Sequence, residues 1–208
     1  MVSAWVRATQ FKHGQKLWRG VVVGGVALMM AFPATAAFGQ TAIHHDAAHD
    51  VIKTNFMTGE GSVAVPRNKT ADIVGVRFTH TNRRAVTTMR LRDYGGRWVY
   101  NGLIKTQTRN FVVAGRGHDA RKQFVLLKGI EDPILVPCDG ISSKVDRVKN
   151  TFRVSVPTDC LNRPRWVRMG LLYYVHAHNG RFLADDSLGP DLPKLFRRLT
   201  VTPRLFTD

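Results

Sequence analysis

From Asp72 onward, apolar residues recur at every second position in short blocks separated by turn residues. That is the pattern of strands half buried in a sheet, where successive side chains point to opposite faces. Val74, Val76 and Phe78 alternate with Ile73, Gly75 and Arg77. Thr81-Asn82-Arg83 supplies a turn, and Ala85, Thr87, Met89 and Leu91 then alternate with Val86, Thr88, Arg90 and Arg92. These blocks predict an antiparallel hairpin. After Gly95-Gly96, residues 98–105 predict a further strand. Residues 110–114 and 123–127 are apolar on both faces, which predicts central strands covered on each side. Residues 145–148 and 151–156 predict a second hairpin around Lys149-Asn150. Residues 166–177 make the longest predicted strand, with Val167, Met169, Leu171, Tyr173, Val175 and Ala177 on one face. Asn179-Gly180 is a two-residue turn signal. It precedes a strand over 181–184, an acidic loop at Asp185-Asp186 and a closing strand near 199–202.

Short strands with no long helical period predict an all-β protein. The expected architecture is an antiparallel two-sheet sandwich, jelly-roll or immunoglobulin-like, over residues 72–208. Residues 37–71 show no sustained period and predict a flexible lead-in with one edge strand. Gly115-Arg116-Gly117 precedes no helix and reads as a β-turn rather than a phosphate loop.

The beginning of the chain follows another pattern. Arg7, Lys12, Lys16 and Arg19, with no acid among them, lead into an apolar run from Val21 to Phe32, then Pro33 and Ala34-Thr35-Ala36. This predicts a helical signal peptide over residues 1–36 and a secreted, extracellular product without a transmembrane span after cleavage. Residues 20–43 lack charge and are long enough for a bilayer of about 30 Å, so an uncleaved N-terminal membrane anchor is the alternative. No cysteine for lipid attachment closely follows the run, and no wall-sorting signal ends the sequence. Export places Cys138 and Cys160 in an oxidising compartment, where an even pair reads as a disulfide. It closes a loop of about 20 residues, worth roughly 3 kcal/mol. A metal site or catalytic thiol is the rival reading, but neither cysteine sits in a CxxC spacing or beside a histidine.

Charge narrows the partners. The 208 residues carry 31 Lys and Arg against 15 Asp and Glu. The leader holds four of the bases and no acid, which leaves 27 against 15, a formal charge of +12. Such a field attracts an anionic cell-envelope polymer or polysaccharide. Arg77, Arg90, Arg92, Arg153 and Arg168 fall on outward positions and form an anion-binding stripe if their strands share a sheet; otherwise they are a solvated face. Sparse aromatics on that face disfavour specific nucleic acid recognition.

The stretch Val154-Ser-Val-Pro-Thr-Asp-Cys-Leu-Asn-Arg-Pro-Arg-Trp-Val-Arg168 has Cys138 upstream, with Asp185-Asp186 and Thr202-Pro203-Arg204 downstream. Over about residues 72–205 it resembles a group of secreted β-sandwich proteins of high-GC Gram-positive bacteria. The resemblance implies an exported sandwich with one disulfide, and no activity comes with it.

Candidate chemistry is sparse. There is no Gly-x-Ser-x-Gly elbow, and no catalytic residue is assigned. His176 and His178, two apart on a strand, project from one face and offer two ligands for a metal such as Zn, with Asp185 or Asp186 as a third. Asp185, Asp186 and Asp191 offer oxygen ligands for Ca. His44, His45 and His49 offer borderline-metal donors, His45 and His49 sharing a face if that segment is helical. Each set also reads as an ordinary solvated strand end, loop or tail, and no cofactor is assigned. Two functions follow: a non-catalytic, envelope-associated binding module, or a secreted hydrolase of polysaccharide or ester with its site near His176, His178, Asp185 and Asp186.

Overall fold

The computed structural model describes residues 39–55, 62–118, 121–177, 181–188 and 199–207. The expected signal helix lies outside them. Fourteen strands are present among the described residues. They are β1 (Gln40–His44), β2 (Ile52–Thr54), β3 (Val63–Ala64), β4 (Ile73–His80), β5 (Arg84–Leu91), β6 (Trp98–Lys105), β7 (Asn110–His118), β8 (Arg121–Lys128), β9 (Ile134–Val136), β10 (Ser142–Asp146), β11 (Thr151–Pro157), β12 (Trp166–His176), β13 (Phe182–Asp186) and β14 (Leu205–Phe206). One sheet runs β1-β4-β5-β11-β10; the other runs β3-β2-β13-β12-β6-β7-β8-β9, with β14 paired to β12. All the pairings are antiparallel. No helix of the described residues is long and apolar enough to cross a membrane.

Parity builds the core. Val167, Met169, Leu171, Tyr173 and Val175 of β12 face inward, as their spacing predicts, and join Trp98, Tyr100 and Ile104 of β6 and Phe111 and Val113 of β7. They meet Val76 and Phe78 of β4, Met89 and Leu91 of β5, and Phe152, Val154 and Val156 of β11 from the other sheet. The β4–β5 hairpin forms as expected; the second hairpin also forms, but its first strand is Ser142–Asp146 rather than 145–148, and residues 147–150 make the turn, with Val148 exposed. One detail departs from simple alternation: a register shift between Ile73 and Gly75 turns Ile73, fully buried, into the core in place of Val74. A bulge reverses the facing of every residue beyond it.

The lead-in is more structured than its composition predicts. It contributes β1 to an edge of the five-stranded sheet and β2 and β3 to an edge of the larger one. Gly115-Arg116-Gly117 lies within β7, not in a turn, and Asp185-Asp186 end β13 instead of forming a loop. The closing strand is β14, while residues 199–202 run across the outer face of the larger sheet. There Leu199 covers a second apolar cluster of Leu103, Val112, Leu172, Tyr174 and Ala184. Gly170 permits that approach, because a Cβ there would stand 2.3 Å from the Thr200 carbonyl oxygen. Thr202 fixes the crossing: its N–H donates to Met169 O at 2.8 Å, and its Oγ1 accepts from Met169 N–H at 3.0 Å.

His80, fully buried at the end of β4, holds β14 in place with Nδ1 2.9 Å from the Leu205 carbonyl oxygen. The carbonyl can only accept, so Nδ1 carries the proton. Burial pushes the His80 pKa below its ordinary 6.5, partly opposed by the Leu205 bond. A depressed histidine contributes stability that is fully present above the unfolded value and is lost as pH falls through 6.5 toward the folded value. Wild type therefore loses more unfolding free energy between about pH 7 and pH 5 than His80→Asn, whose amide retains the donor. Denaturant titrations at the two pH values check this, and equal losses refute it.

Candidate anion-binding cleft

The end of the larger sheet where β6, β7, β8 and β12 run side by side opens into a cleft of about 600 Å³. Register sets its two sides: Arg97, Arg116, Gln123 and His176 share one parity, Trp98 and Lys122 the other, and the opening wraps the end of the strands between them. Trp98 sits opposite both Val175 and Gly117, and Arg116 sits opposite Gln123. Arg97 precedes β6, and its carbonyl accepts from the His176 N–H at 2.8 Å, which draws the two side-chain positions to one corner. Arg97, Arg116, His118, Lys122, Gln123 and His176 line the opening over the buried Trp98. Among the described residues no carboxylate lines it.

The cations are partly organised. Arg116 donates from Nε at 3.0 Å and from Nη2 at 2.9 Å to Gln123 Oε1, which fixes the plane of the guanidinium along the β7–β8 ladder. The His176 ring packs against Phe182 with centroids 4.7 Å apart. Three permanent cations at one concave mouth, with no carboxylate among the described lining residues, repel one another and attract an external anion. Arginine suits planar bidentate contacts and lysine a point contact, so phosphate, sulfate and carboxylate groups all fit.

The predicted stripe is rearranged. Arg77, Arg90 and Arg153 are exposed on the five-stranded sheet. Cross-strand neighbours run Arg77, Thr88, Arg153 and Lys144, which adds a lysine to the row. Arg92 leaves it, because its Nη1 donates to the fully buried Asp72 at 2.6 Å. Arg168 leaves it too: β12 belongs to the other sheet, where Arg168 Nε donates to the Thr202 carbonyl at 2.9 Å.

Among the described residues, the expected metal ligands His176 and Asp185 stand apart. His176 pairs with Phe182, and Asp185 pairs with Tyr173, three positions or about 10 Å along the strand. Asp185 is buried, whereas His176 is exposed among cations. His178 and Asp191 lie outside the described residues. His44 is in a strand and His49 has φ 81°, so the helical face proposed for His45 and His49 does not form. Cys138 and Cys160 are bonded to each other, as expected.

Sequence reasoning missed Arg97, Arg116, His118, Lys122 and Gln123. The signal was present in β7, where Val112, Ala114, Arg116 and His118 share one parity and the apolar face turns cationic at its end. No family model, curated protein or solved structure matches this chain.

Proposed function

We propose that this chain is an exported, non-catalytic binding module that holds an anionic cell-envelope polymer or polysaccharide. The convergence of Arg97, Arg116 and Lys122 at a cleft without carboxylates among the described residues carries this reading. The exposed row of Arg77, Arg153 and Lys144 on the other sheet adds long-range attraction. A hydrolase is less well supported: glycoside hydrolysis generally needs two carboxyl groups flanking the bond, and the described cleft lining supplies none.

Retention on purified cell-wall material tests the proposal. The chain binds at low salt and elutes at high salt. The triple variant Arg97→Gln, Arg116→Gln, Lys122→Gln binds at least about tenfold more weakly, or about 1.4 kcal/mol, with unchanged thermal stability. No retention of wild type at low salt, or equal retention of the variant, overturns it.

A further inference from the structure

The geometry points to a calcium site built from Asp50, Asp72 and Asp185, where the lead-in crosses between the two sheets. Asp50 precedes β2, Asp72 precedes β4 and Asp185 lies in β13, so the three carboxylates come from segments far apart in the chain. One carboxylate oxygen from each lies within 4.8 Å of the others. That is close enough to share one cation at Ca²⁺–oxygen distances of about 2.4 Å.

Independent of this clustering, the side chain of Asp72 is wholly buried, and its Oδ1 has no hydrogen-bond partner. Its other oxygen is engaged: Oδ2 accepts from Arg92 Nη1 at 2.6 Å and from the His49 N–H at 3.1 Å. Asp185 Oδ2 is likewise held by the Ile73 N–H at 2.7 Å. These bonds orient the carboxylates before any ion arrives. Asp50 Oδ1 and Asp46 Oδ2 are also buried without partners.

Arg92 offsets one negative charge, and more carboxylates crowd the same place. Burial, with the charges of Asp46, Asp50 and Asp72, pushes the Asp185 carboxyl up to about 9 against the Ile73 bond that lowers it. Burial and then Asp50 push Asp46 up to about 7, and burial raises Asp50. A buried cluster of this kind must take up protons or a cation. All-oxygen donors select a hard ion, and Mg²⁺, which demands near-octahedral geometry and dehydrates reluctantly, suits an irregular carboxylate site less well than Ca²⁺. Bound there, Ca²⁺ ties the β1–β2 crossover to β4 of one sheet and β13 of the other.

Thermal unfolding of the full chain, first stripped with a calcium chelator, tests this. CaCl₂ at about 10 mM raises Tm by about 5 °C, while MgCl₂ does not. Asp50→Asn and Asp185→Asn relieve carboxylate repulsion and so match or exceed wild type in chelator, yet each binds Ca²⁺ at least about tenfold more weakly and falls below wild type in saturating Ca²⁺. This reversal separates an ion site from a merely structural acid. No Ca²⁺-dependent shift in wild type, or an undiminished shift in both variants, overturns the site and leaves the cleft's anion binding unaffected.

Discussion

Replacing Phe152 by alanine lowers the unfolding free energy by about 4 kcal/mol. Phe152 is 1 % exposed and projects from β11 of the five-stranded sheet into aromatic side chains of the other. Its ring centroid lies 4.8 Å from that of Trp98 and 5.9 Å from that of Tyr100, nearly perpendicular to the latter at 83°. Phe124 and Tyr94 complete the surround, each at 6.3 Å. Truncation removes the buried ring and its edge-to-face contacts and leaves a cavity between two hydrogen-bonded sheets, which cannot easily collapse. Urea unfolding should show a lower midpoint with unchanged slope. A loss below about 1 kcal/mol would mean that the sheets do not pack through this residue.

The Cys138→Ala, Cys160→Ala double variant loses roughly 3 kcal/mol. The bond spans a sequence separation of 22, with Cα atoms 5.6 Å apart. It joins the segment before β10 to the short 3-10 turn Thr158–Leu161 after β11, so it closes both ends of that hairpin. Without it the unfolded chain gains the freedom of the open loop, while the native contacts of the hairpin remain. Anion binding at the cleft should be unchanged in this variant, because the cleft lies on the other sheet. Lost binding with intact folding would show that the hairpin and the cleft are coupled.

Much of the scaffold was legible because strand parity is local. The inward face of β12 and the β4–β5 hairpin followed from alternation and turn residues, whereas the second hairpin was found with its first strand placed three residues too late. The bond between Cys138 and Cys160 followed from number and expected compartment. Parity does not say which sheet a strand joins, and Arg168 shows the consequence: outward on its own strand, it faces away from Arg77 and Arg153. The lead-in was read only in part: its one expected edge strand is β3, but β1 and the three-residue β2, with no sustained alternation to mark them, were not anticipated. Val51, next to β2, is nevertheless fully buried.

The candidate sites were less legible for the same reason. His176 was identified from its strand position, but its neighbours Arg97, Arg116 and Lys122 reach it only through the lateral order β12-β6-β7-β8. Asp185 was identified as an oxygen ligand, whereas Asp50 and Asp72 come from segments more than a hundred residues upstream. No spacing rule connects them. Pairing of β13 with β2 brings Asp185 near the segment of Asp50, and the cross-sheet bonds from the Ile73 N–H to Asp185 and from the His49 N–H to Asp72 complete the proximity.

Amide-resolved NMR during titration with soluble cell-wall polymer fragments tests the cleft most directly. Perturbations concentrated at residues 97–98, 116–118, 122–123 and 176, and suppressed by added salt, are the predicted result. Perturbations confined to Arg77, Arg90 and Arg153 on the other sheet, or none at low salt, would contradict it.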